Sequence, residues 1–529
     1  MPFHSPFPDV TIPDVPLTDF VLEKVDGYRD RPALVDGLSG QTLTFGELAN
    51  RIRRLAAGLS QRGIGKGDVV AIWAPNLPEY AVVFHAVARL GAVLTPANPT
   101  YTVEELAFQL RDAGARLLVT TRALVDRARE AVAVAVAATG TTIEIVTIDR
   151  SEHVPALEDI EVDADPPPVT IDPATDVVVM PYSSGTTGLP KGVMLTHRNL
   201  LANLVQIDAI EHPDLRALAG VLPFFHIYGM VVVMNFGLRR GATCITLPRF
   251  DLEAFLRMLQ DWPITLAHIV PPIAVALAKH PVVDNYDLSG VRWLFSGAAP
   301  LGPQLTEAVE TRLNVRVRQG YGMTEASPAT HYTVPGAHRP GKIGPLMPCT
   351  EGRIVDPESG ADLPAGAAGE VWVRGPQVMK GYLNNPEATA RTVDADGWLR
   401  TGDIGIVDED GYLEIVDRLK ELIKVNGFQV APAELEAVLL KHPNIADAAV
   451  IPVEDEVAGQ VPKAIVVLRG PLSAEAVMAF VEEHVAHFKR VRHVAFAESI
   501  PKSPSGKILR RVLVQKDRDT TAAGDLASS

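Results

Sequence analysis

Cysteine is almost absent from this chain, and so are long apolar runs and an excess of positive charge. Cys244 and Cys349 are the only cysteines among 529 residues, which excludes a disulfide framework and a cysteine-rich metal site. The most apolar stretch, Ala81–Ala97, contains His85 and Arg89 and does not reach transmembrane length. A formal net charge of −15 argues against nucleic-acid and anionic-membrane partners.

The N-terminal residues have a composition unlike that of a secretory signal. Met1–Val21 contains several prolines and neither lysine nor arginine, whereas a signal peptide begins with a basic region. Together with the scarcity of cysteine, this predicts a cytoplasmic protein. Apolar residues make up 47% of the chain, so most of it is expected to fold around buried cores.

Segments with strand character alternate with helical segments along most of the chain. Asp68–Trp73 predicts a buried strand and Glu79–Leu90 the helix after it, and Val103–Ala113 predicts a helix before a strand over Arg116–Thr120. This alternation predicts parallel sheets covered by helices. It resumes after residue 221, with strands predicted over Thr243–Leu247, Thr265–His268 and Val291–Phe295.

The C-terminal third has a different pattern. Gly344–Arg374 contains short strand and turn segments, which predict a small β-rich subdomain. About a hundred residues follow Asp417, a size typical of a separate domain. We therefore predict an α/β fold with a large N-terminal domain over 1–416, built from helix-covered, mainly parallel sheets and the β-rich subdomain. A small α+β domain is predicted over 417–529.

One loop carries more chemistry than any other segment. Ser183-Ser184-Gly185-Thr186-Thr187-Gly188-Leu189-Pro190-Lys191-Gly192 follows a predicted strand over Val177–Met180. Glycines let backbone N–H groups approach anionic oxygens, hydroxyls donate further hydrogen bonds, and Lys191 supplies a cation. The spacing is not that of a Walker loop. The complete string with its lysine favours a polyphosphate site over a flexible turn.

Several later segments contain polar groups that each have an ordinary structural explanation. His226, taken alone, is more typical of a core histidine, and Glu325 is typical of an acid at a helix start. Asp403 is expected in a turn, where it either caps the turn or binds ribose hydroxyls. Residues 417–424 are typical of a solvated charged face, and residues 504–511 of a basic tail. Their order along the chain is far more specific than any one of them.

That order resembles the adenylate-forming acyl-CoA synthetase superfamily, most closely the 4-coumarate–CoA ligases, with a bacterial member of that group expected. The resemblance runs from about Pro32 to Leu513. It rests on YSSGTTGLPKGVMLTHRN, VLPFFHIYG, QGYGMTEASP, GWLRTGDIG, VDRLKELIKVNGFQVAPAELE and IPKSPSGKILRR. The resemblance implies a mobile C-terminal domain hinged near Asp417. It also implies two half-reactions: a carboxylate and ATP give acyl-AMP and pyrophosphate, and CoA then gives acyl-CoA and AMP.

The resemblance also assigns residues to the first half-reaction. Catalysis without a covalent nucleophile depends on positioning and charge neutralisation. The implied phosphate contacts are Ser183, Ser184, Gly185, Thr186, Thr187 and Lys191, with Thr324 and Glu325 at the α-phosphate and Mg²⁺. Ala298, Gln319, Gly320 and Tyr321 are implied to frame adenine, and Asp403 and Arg418 to bind the ribose. Lys507 is implied to bridge the carboxylate and the α-phosphate.

Other residues are implied to serve the second half-reaction. His226 is placed between the acyl and CoA sites, and Lys424, Gly427 and Gln429 on a face presented after the small domain rotates. Arg249 occupies a position where relatives often carry a basic residue for the CoA phosphates. Asn426 departs from the lysine usual in plant ligases, which puts one CoA contact in doubt.

The acyl pocket is only partly implied by the resemblance. Ile227, Tyr228, Gly297, Gly320, Gly322 and Pro328 agree with the plant hydroxycinnamate pattern, whereas His268, Phe295, Ala329 and Thr330 do not. Phe295 is expected to make its wall more apolar. Cinnamate, 4-coumarate and a medium-chain fatty acid remain alternatives, as does adenylation that loads a separate carrier protein. A luciferase-like oxygenase and a non-catalytic nucleotide-binding protein are rival classes, though the latter would be expected to lack Glu325 or Lys507.

Overall fold

The computed structural model describes residues 2–183, 190–211, 214–425, 428–455, 458–503 and 506–527. The side chains of 428, 429 and 520–527 lie outside this description. The chain divides into two compact units. The large unit comprises residues 4–351 and 373–399, and the small unit comprises residues 1–3, 352–372 and 400–529.

The largest sheet of the large unit has a parallel core. Val69–Trp73 lies between Val93–Ala97 and Ala115–Thr120, and all three strands run parallel. Glu144–Thr147 extends the sheet in parallel on one side and Val177–Val179 on the other. Lys191–Thr196 adds an antiparallel strand that pairs with Val177–Val179, Tyr182–Ser183 and Gly381–Tyr382. Almost every residue of the central strands is buried, as expected for a sheet covered on both faces.

Two further sheets complete the strands of the large unit. One orders Ala217–Gly220, Thr243–Thr246 and Pro32–Asp36 in parallel, with Thr42–Thr44 antiparallel at its edge. The other orders Leu266–Ile269, Trp293–Ser296 and Arg316–Gly322 in parallel, with Ala329–Tyr332 antiparallel at its edge. The carboxyl ends of parallel strands share one edge, where binding residues commonly collect.

Helices cover these sheets and begin with recognisable caps. Thr44 and Thr102 each accept a hydrogen bond from a glutamate backbone three residues on, and that glutamate returns one. These capping boxes satisfy free N–H groups at the helix starts. The α-helices of the large unit are Leu17–Leu22, Phe45–Gln61, Pro78–Arg89, Val103–Ala113, Val125–Thr139, Leu157–Ile160, His197–Ile210, Phe236–Arg239, Leu252–Asp261, Pro271–Lys279, Pro303–Leu313 and Pro386–Thr392. Short 3₁₀ turns span Val25–Gly27, Arg122–Leu124, Pro281–Asn285 and Thr324–Ala326.

The small unit combines antiparallel strands with a few helices. One sheet orders Phe3–His4, Glu351–Val355, Ala368–Arg374, Leu399–Val407 and Leu413–Arg418. A second sheet contains Phe428–Val430, Ile423–Val425, Gly459–Leu468 and Ile445–Asp455, and His493–Phe496 pairs in parallel with Gly459–Leu468. The helices are Pro432–Leu439, Ala474–Glu482 and Arg510–Ala527, with a 3₁₀ turn over His487–Lys489.

The α/β class predicted from the sequence is confirmed, with local corrections. The apolar segment after His226 begins as π-helical turns, Tyr228–Asn235, and ends as the α-helix Phe236–Arg239. Asp403 lies within the strand Leu399–Val407 and not in a turn. Asp417 lies within the strand Leu413–Arg418, and the separate domains over 1–416 and 417–529 stay a prediction. In the described ranges, every helix falls short of the length or the apolar character needed to cross a bilayer.

Candidate active site

The two ends of the phosphate-type loop are held together as paired strands. Ser183 lies opposite Lys191 in the antiparallel register between Tyr182–Ser183 and Lys191–Thr196. The lysine is therefore fixed at the base of the loop, beside the first of its hydroxyl residues. The remaining predicted contacts, Ser184, Gly185, Thr186 and Thr187, lie outside the described residues.

Glu325 lies beside this base and accepts two hydrogen bonds on one oxygen. Its Oε1 accepts from the Ser183 hydroxyl at 3.0 Å and from the Tyr382 hydroxyl at 2.8 Å. Lys191 Nζ lies 4.8 Å from the centroid of the Tyr382 ring, within range of a cation–π contact. Burial and the neighbouring Glu325 raise the pKa of Tyr382, so its hydroxyl remains a proton donor.

Tyr382 was missed by the sequence analysis. It reaches Glu325 because Gly381–Tyr382 pairs with Val193 and Met194 of the strand that follows the loop. No sequence spacing connects it to the loop, and a sheet pairing between distant segments is not encoded in a local motif. Ser183, Lys191, Glu325 and Tyr382 thus form one cluster, which we call the phosphate-loop base.

The phosphate-loop base fits a magnesium ion that is held mainly by a substrate. Mg²⁺ is commonly bound through one or two carboxylates together with phosphate oxygens and water. Glu325 supplies a buried carboxylate whose described donors are neutral hydroxyls. Among the described residues, no group of three or more His, Cys, Asp or Glu side chains is arranged to hold a metal alone. The residues therefore fit a magnesium ion brought with phosphates.

The residues expected to frame adenine lie at adjacent strand ends. Gln319, Gly320 and Tyr321 belong to the strand Arg316–Gly322, in which Gln319 lies opposite Ser296 of the neighbouring strand. Ala298 follows that neighbouring strand with a φ of 69°, a left-handed conformation that non-glycine residues seldom adopt. The Gln319 amide exchanges two hydrogen bonds with the backbone of Leu301, both 3.1 Å, which fixes the turn that contains Ala298.

Aromatic rings and glycines form a second cluster in the large unit. The Tyr228 hydroxyl donates to the Phe295 carbonyl at 3.2 Å and lies 3.1 Å from His268 Nδ1. A methyl group added to Gly297 would lie 2.9 Å from Tyr228 Cε1, and one added to Gly320 would lie 2.8 Å from Phe295 Cε1. Glycine at both positions therefore lets the rings lie against the backbone. Tyr228, His268, Phe295, Gly297 and Gly320 are referred to as the aromatic cluster.

The remaining predicted acyl residues are near this cluster in the sheet. Gly322 lies opposite Ala329 in the antiparallel pairing of Arg316–Gly322 with Ala329–Tyr332. A methyl group on Gly322 would lie 2.0 Å from the Pro328 carbonyl oxygen, so this position excludes a side chain. Ile227 is buried immediately before the π-helical turns, and Thr330 donates to the Tyr321 carbonyl at 3.3 Å.

His268 is neutral at physiological pH and has a free ring nitrogen. Burial lowers its pKa to about 4. Because the Tyr228 hydroxyl donates to the Phe295 carbonyl, its oxygen accepts from His268 Nδ1–H, and Nε2 is left as an acceptor. In the described parts of the chain, no group hydrogen-bonds to this buried Nε2. A ligand hydroxyl would satisfy it.

His226 and Arg249 differ in their surroundings. His226 Nδ1 accepts from the Tyr228 backbone N–H at 3.3 Å, and burial lowers the pKa of His226 to about 4. Its Nε2 therefore carries the proton. Arg249 is exposed after the strand Thr243–Thr246, where it is accessible to an anion.

Three predicted residues come together in the small unit. Asp403 and Arg418 lie opposite each other on adjacent antiparallel strands, and Arg418 Nε is 3.2 Å from Asp403 Oδ1. Burial, with a further contribution from Arg418, lowers the pKa of Lys507 to about 8, while Glu421 and Asp403 act in the opposite direction. Both Arg418 and Asp403 therefore act electrostatically on Lys507.

The segment after Lys507 is not the solvated basic tail that its composition suggests. Arg510 Nη2 donates to both carboxylate oxygens of Glu436, at 2.8 and 2.7 Å, and Arg510 Nη1 donates to Glu421. Asp417 is also buried and accepts from the backbone N–H groups of Arg418 and Ala433. The contacts made by Arg510 hold the start of the helix Arg510–Ala527, which follows Lys507 closely in the chain.

The face expected to serve the second half-reaction is described only at Lys424. Its side chain is exposed on the strand Ile423–Val425, opposite Gln429 in register. Asn426 and Gly427 lie outside the described residues, as does the side chain of Gln429. Their predicted contacts with CoA therefore stay predictions.

Comparisons with known proteins match almost the whole chain. The family model described as AMP-binding enzyme matches residues 21–383, and AMP-binding enzyme C-terminal domain matches residues 434–507. A curated relative, 4-coumarate–CoA ligase 5 of Oryza sativa subsp. japonica, is 45% identical over 528 residues, which cover 97% of each chain.

Solved structures agree with this match. ATP-bound MatB from Rhodopseudomonas palustris has a TM-score of 0.87 at 31% identity and covers 96% of this chain and 100% of its own. The anthranilate CoA ligase AuaEII in complex with anthranoyl-AMP has a TM-score of 0.87 at 25% identity and covers 97% and 99%.

Proposed function

We propose that this chain, which belongs to the AMP-binding enzyme family and is an AMP-forming carboxylate–CoA ligase, activates 4-coumarate or a related cinnamate. The aromatic cluster carries the choice of acid. Its rings form an apolar surface suited to a phenyl ring, and His268 Nε2 is an acceptor suited to a phenolic hydroxyl. The relative named for 4-coumarate supports the same choice.

The reaction has two half-reactions, and the acyl-AMP intermediate that links them is not released. A carboxylate oxygen first attacks the α-phosphorus of ATP, and the bond from that phosphorus to the bridging oxygen breaks, so that pyrophosphate leaves and acyl-AMP remains. The CoA sulfur then attacks the acyl carbon, its proton is lost, and AMP leaves. The neighbour that holds anthranoyl-AMP is an aryl-acid ligase with the corresponding intermediate, which supports this order.

The phosphate-loop base is proposed to receive the β- and γ-phosphates. Ser183 and Lys191 lie opposite each other on the two antiparallel strands at the base of the loop. Further hydrogen-bond donors to the phosphates are proposed to come from Ser184, Gly185, Thr186 and Thr187. Glu325, with Thr324 beside it, is proposed to hold Mg²⁺ at the α-phosphate. Bound Mg²⁺ would neutralise charge on the phosphate oxygens. Tyr382 and Ser183 keep Glu325 in place by donating to its Oε1.

The nucleoside is proposed to be bound by residues that the fold has already fixed. The residues proposed to contact adenine are Ala298, Gln319, Gly320 and Tyr321. The two hydrogen bonds between the Gln319 amide and the Leu301 backbone limit movement of the turn that contains Ala298. Asp403 offers carboxylate oxygens to ribose hydroxyls and is oriented by Arg418 at 3.2 Å. Preorganised contacts of this kind reduce the entropy lost on binding.

Lys507 is proposed to act only in the first half-reaction. Charge accumulates between the carboxylate and the α-phosphate as the new bond forms, and a fixed cation stabilises it. We propose that residues 417–529 move as a domain hinged at Asp417. This movement then takes Lys507 away from the reacting carboxylate and α-phosphate. Lys424, Gly427 and Gln429 are proposed to replace it for thioester formation, with His226, Arg249 and Asn426 near CoA.

A panel of acids tests the proposed substrate. The protein is supplied with ATP, Mg²⁺ and CoA and with 4-coumarate, cinnamate, octanoate or acetate, and acyl-CoA is measured by mass. We expect 4-coumarate to have the highest kcat/KM. Preference for octanoate would replace the aryl acid with a fatty acid. Formation of acyl-AMP without transfer to CoA would instead indicate a carrier-protein acceptor.

A further inference from the structure

A buried ion pair lies behind the aromatic cluster. Arg318 Nη2 is 3.0 Å from Glu211 Oε1 and Nη1 is 3.1 Å from Glu211 Oε2, a paired contact on both oxygens. The Arg318 side chain is 0% exposed and that of Glu211 is 1% exposed. Removing such charges from water is unfavourable and is offset only by good geometry. This pair is not among the residues proposed to contact substrate.

The pair is connected to the aromatic cluster through Tyr332. The Tyr332 hydroxyl donates to Glu211 Oε2, and its ring stacks on Phe295 with centroids 4.3 Å apart and planes 27° apart. The Arg318 guanidinium lies 5.5 Å from the Phe295 centroid and 6.0 Å from the Tyr332 centroid. The ring of Phe295 is therefore contacted by a cation and by a second ring whose own position is set by Glu211.

The backbone at Gly320 leaves little room beside the edge of the Phe295 ring. A methyl group added to Gly320 would lie 2.8 Å from Phe295 Cε1 and also Cζ. The ring of Phe295 therefore contacts both the backbone at Gly320 and the stacked ring of Tyr332. Because close-packed interiors have few voids and transmit strain, a shift of Tyr332 would displace the Phe295 ring that stacks on it.

We propose that Glu211, acting through Tyr332 and Arg318, is a positioning residue that sets acid selectivity by fixing the plane of Phe295. The proposal rests on the proposed function, in which Phe295 forms a wall of the acyl pocket. Glu211 lies just after the helix His197–Ile210 and makes no contact with the acid in this account. Its loss is therefore expected to change which acid fits, and not the chemistry of adenylation.

Tyr332→Phe is the first test because it removes only the hydroxyl that reaches Glu211. The readout is the ratio of kcat/KM for cinnamate to that for 3,4-dimethoxycinnamate, with KM for ATP measured alongside. We expect the ratio to change by about fivefold, as for the loss of one hydrogen bond, with KM for ATP within twofold. Tyr28→Phe is the control, since the buried Tyr28 hydroxyl has no hydrogen-bond partner in the described chain.

Glu211→Gln is the second test and retains the shape of the side chain. It is expected to shift the ratio in the same direction as Tyr332→Phe, and the double variant is expected to shift it by less than the sum of the two single shifts, because both variants weaken the Glu211–Tyr332 contact. Should Glu211→Gln fail to fold, Tyr332→Phe alone decides the matter. An unchanged ratio in folded Tyr332→Phe, or additive effects in the double variant, would overturn the proposal.

If the proposed aryl-acid function is wrong, these experiments give a result that differs from failure of the Glu211 proposal. If the wild-type protein prefers fatty acids, the same variants are measured with octanoate and dodecanoate. A changed ratio there would keep Glu211 as the selectivity determinant while the aryl-acid substrate is withdrawn. An unchanged ratio with both acid classes would reject the role of Glu211.

Discussion

Asp403 and Arg418 face each other across adjacent antiparallel strands, with Arg418 Nε 3.2 Å from Asp403 Oδ1. Asp403 is buried, whereas the Arg418 side chain is 34% exposed. The pair therefore holds the Asp403 carboxylate in one orientation between the two paired strands. A carboxylate held in this way is suited to accepting hydrogen bonds from hydroxyls.

Asp403→Asn is expected to raise KM for ATP by about tenfold, because a charged acceptor for ribose hydroxyls is lost. KM for the acid is expected to stay within twofold. Asp362→Asn is a matched control, since it breaks another aspartate–arginine pair in the small unit, to Arg353 at 2.6 Å. An equal rise in KM for ATP in both variants would show a general structural effect and contradict the ribose assignment.

Tyr382→Phe is expected to raise the Mg²⁺ concentration needed for half-maximal activity, because Glu325 loses one of its two described donors and is less well oriented. Glu325→Gln is expected to lower kcat by about 10²–10³-fold, as for loss of one charge contact in the transition state. Glu387→Gln is the control for Glu325→Gln, because Glu387 is an exposed glutamate that follows Tyr382 closely in the sequence. A Mg²⁺ response that is identical in Tyr382→Phe and wild type would argue against this role.

His268→Leu is expected to lower the ratio of kcat/KM for 4-coumarate to that for cinnamate by about fivefold, since one hydrogen bond to the phenolic hydroxyl is lost. His85→Leu is the matched control: His85 is also buried, its Nδ1 lies 3.1 Å from Thr18 Oγ1, and its Nε2 is without a partner among the described groups. If His268→Leu leaves the ratio unchanged, the phenolic hydroxyl is recognised elsewhere.

The rate of adenylation is expected to fall as pH rises through about 8. Burial lowers the pKa of Lys507 from 10.5 to about 8, so the cation that stabilises the transition state is lost above that pH. The profile of kcat/KM for ATP reports the free enzyme. Pyrophosphate exchange by Lys507→Ala is expected to lack this decline. The same decline in the variant would assign it to another group.

The sequence predicted elements whose signals are local. Asp68–Trp73 and Val103–Ala113 were predicted as a strand and a helix, and the structure has Val69–Trp73 and Val103–Ala113. Runs of β-branched residues and a Thr-x-x-Glu cap suffice for such assignments. The prediction of a turn at Asp403 was wrong because its flanking glycines resemble a turn, whereas pairing with a later strand made it extended.

Contacts between distant segments were not predictable in the same way. Tyr382 joins Glu325 through a strand pairing, and Glu211 joins Arg318 and Tyr332 across more than a hundred residues. A charged residue in an apolar segment carries no local sign of its partner. The motifs therefore predicted the candidate nucleotide residues, while the residues that support them required the fold.

Lys507 is proposed to act in one half-reaction alone, and Lys507→Ala tests this directly. Pyrophosphate exchange measures acyl-AMP formation, and acyl-CoA formed from supplied coumaroyl-AMP measures the second step. Lys502→Ala is the control, since Lys502 in the same segment is paired with Asp447 at 2.6 Å. We expect Lys507→Ala to slow exchange by about 10²–10³-fold and to leave the second step within twofold. Equal slowing of both steps would contradict the account.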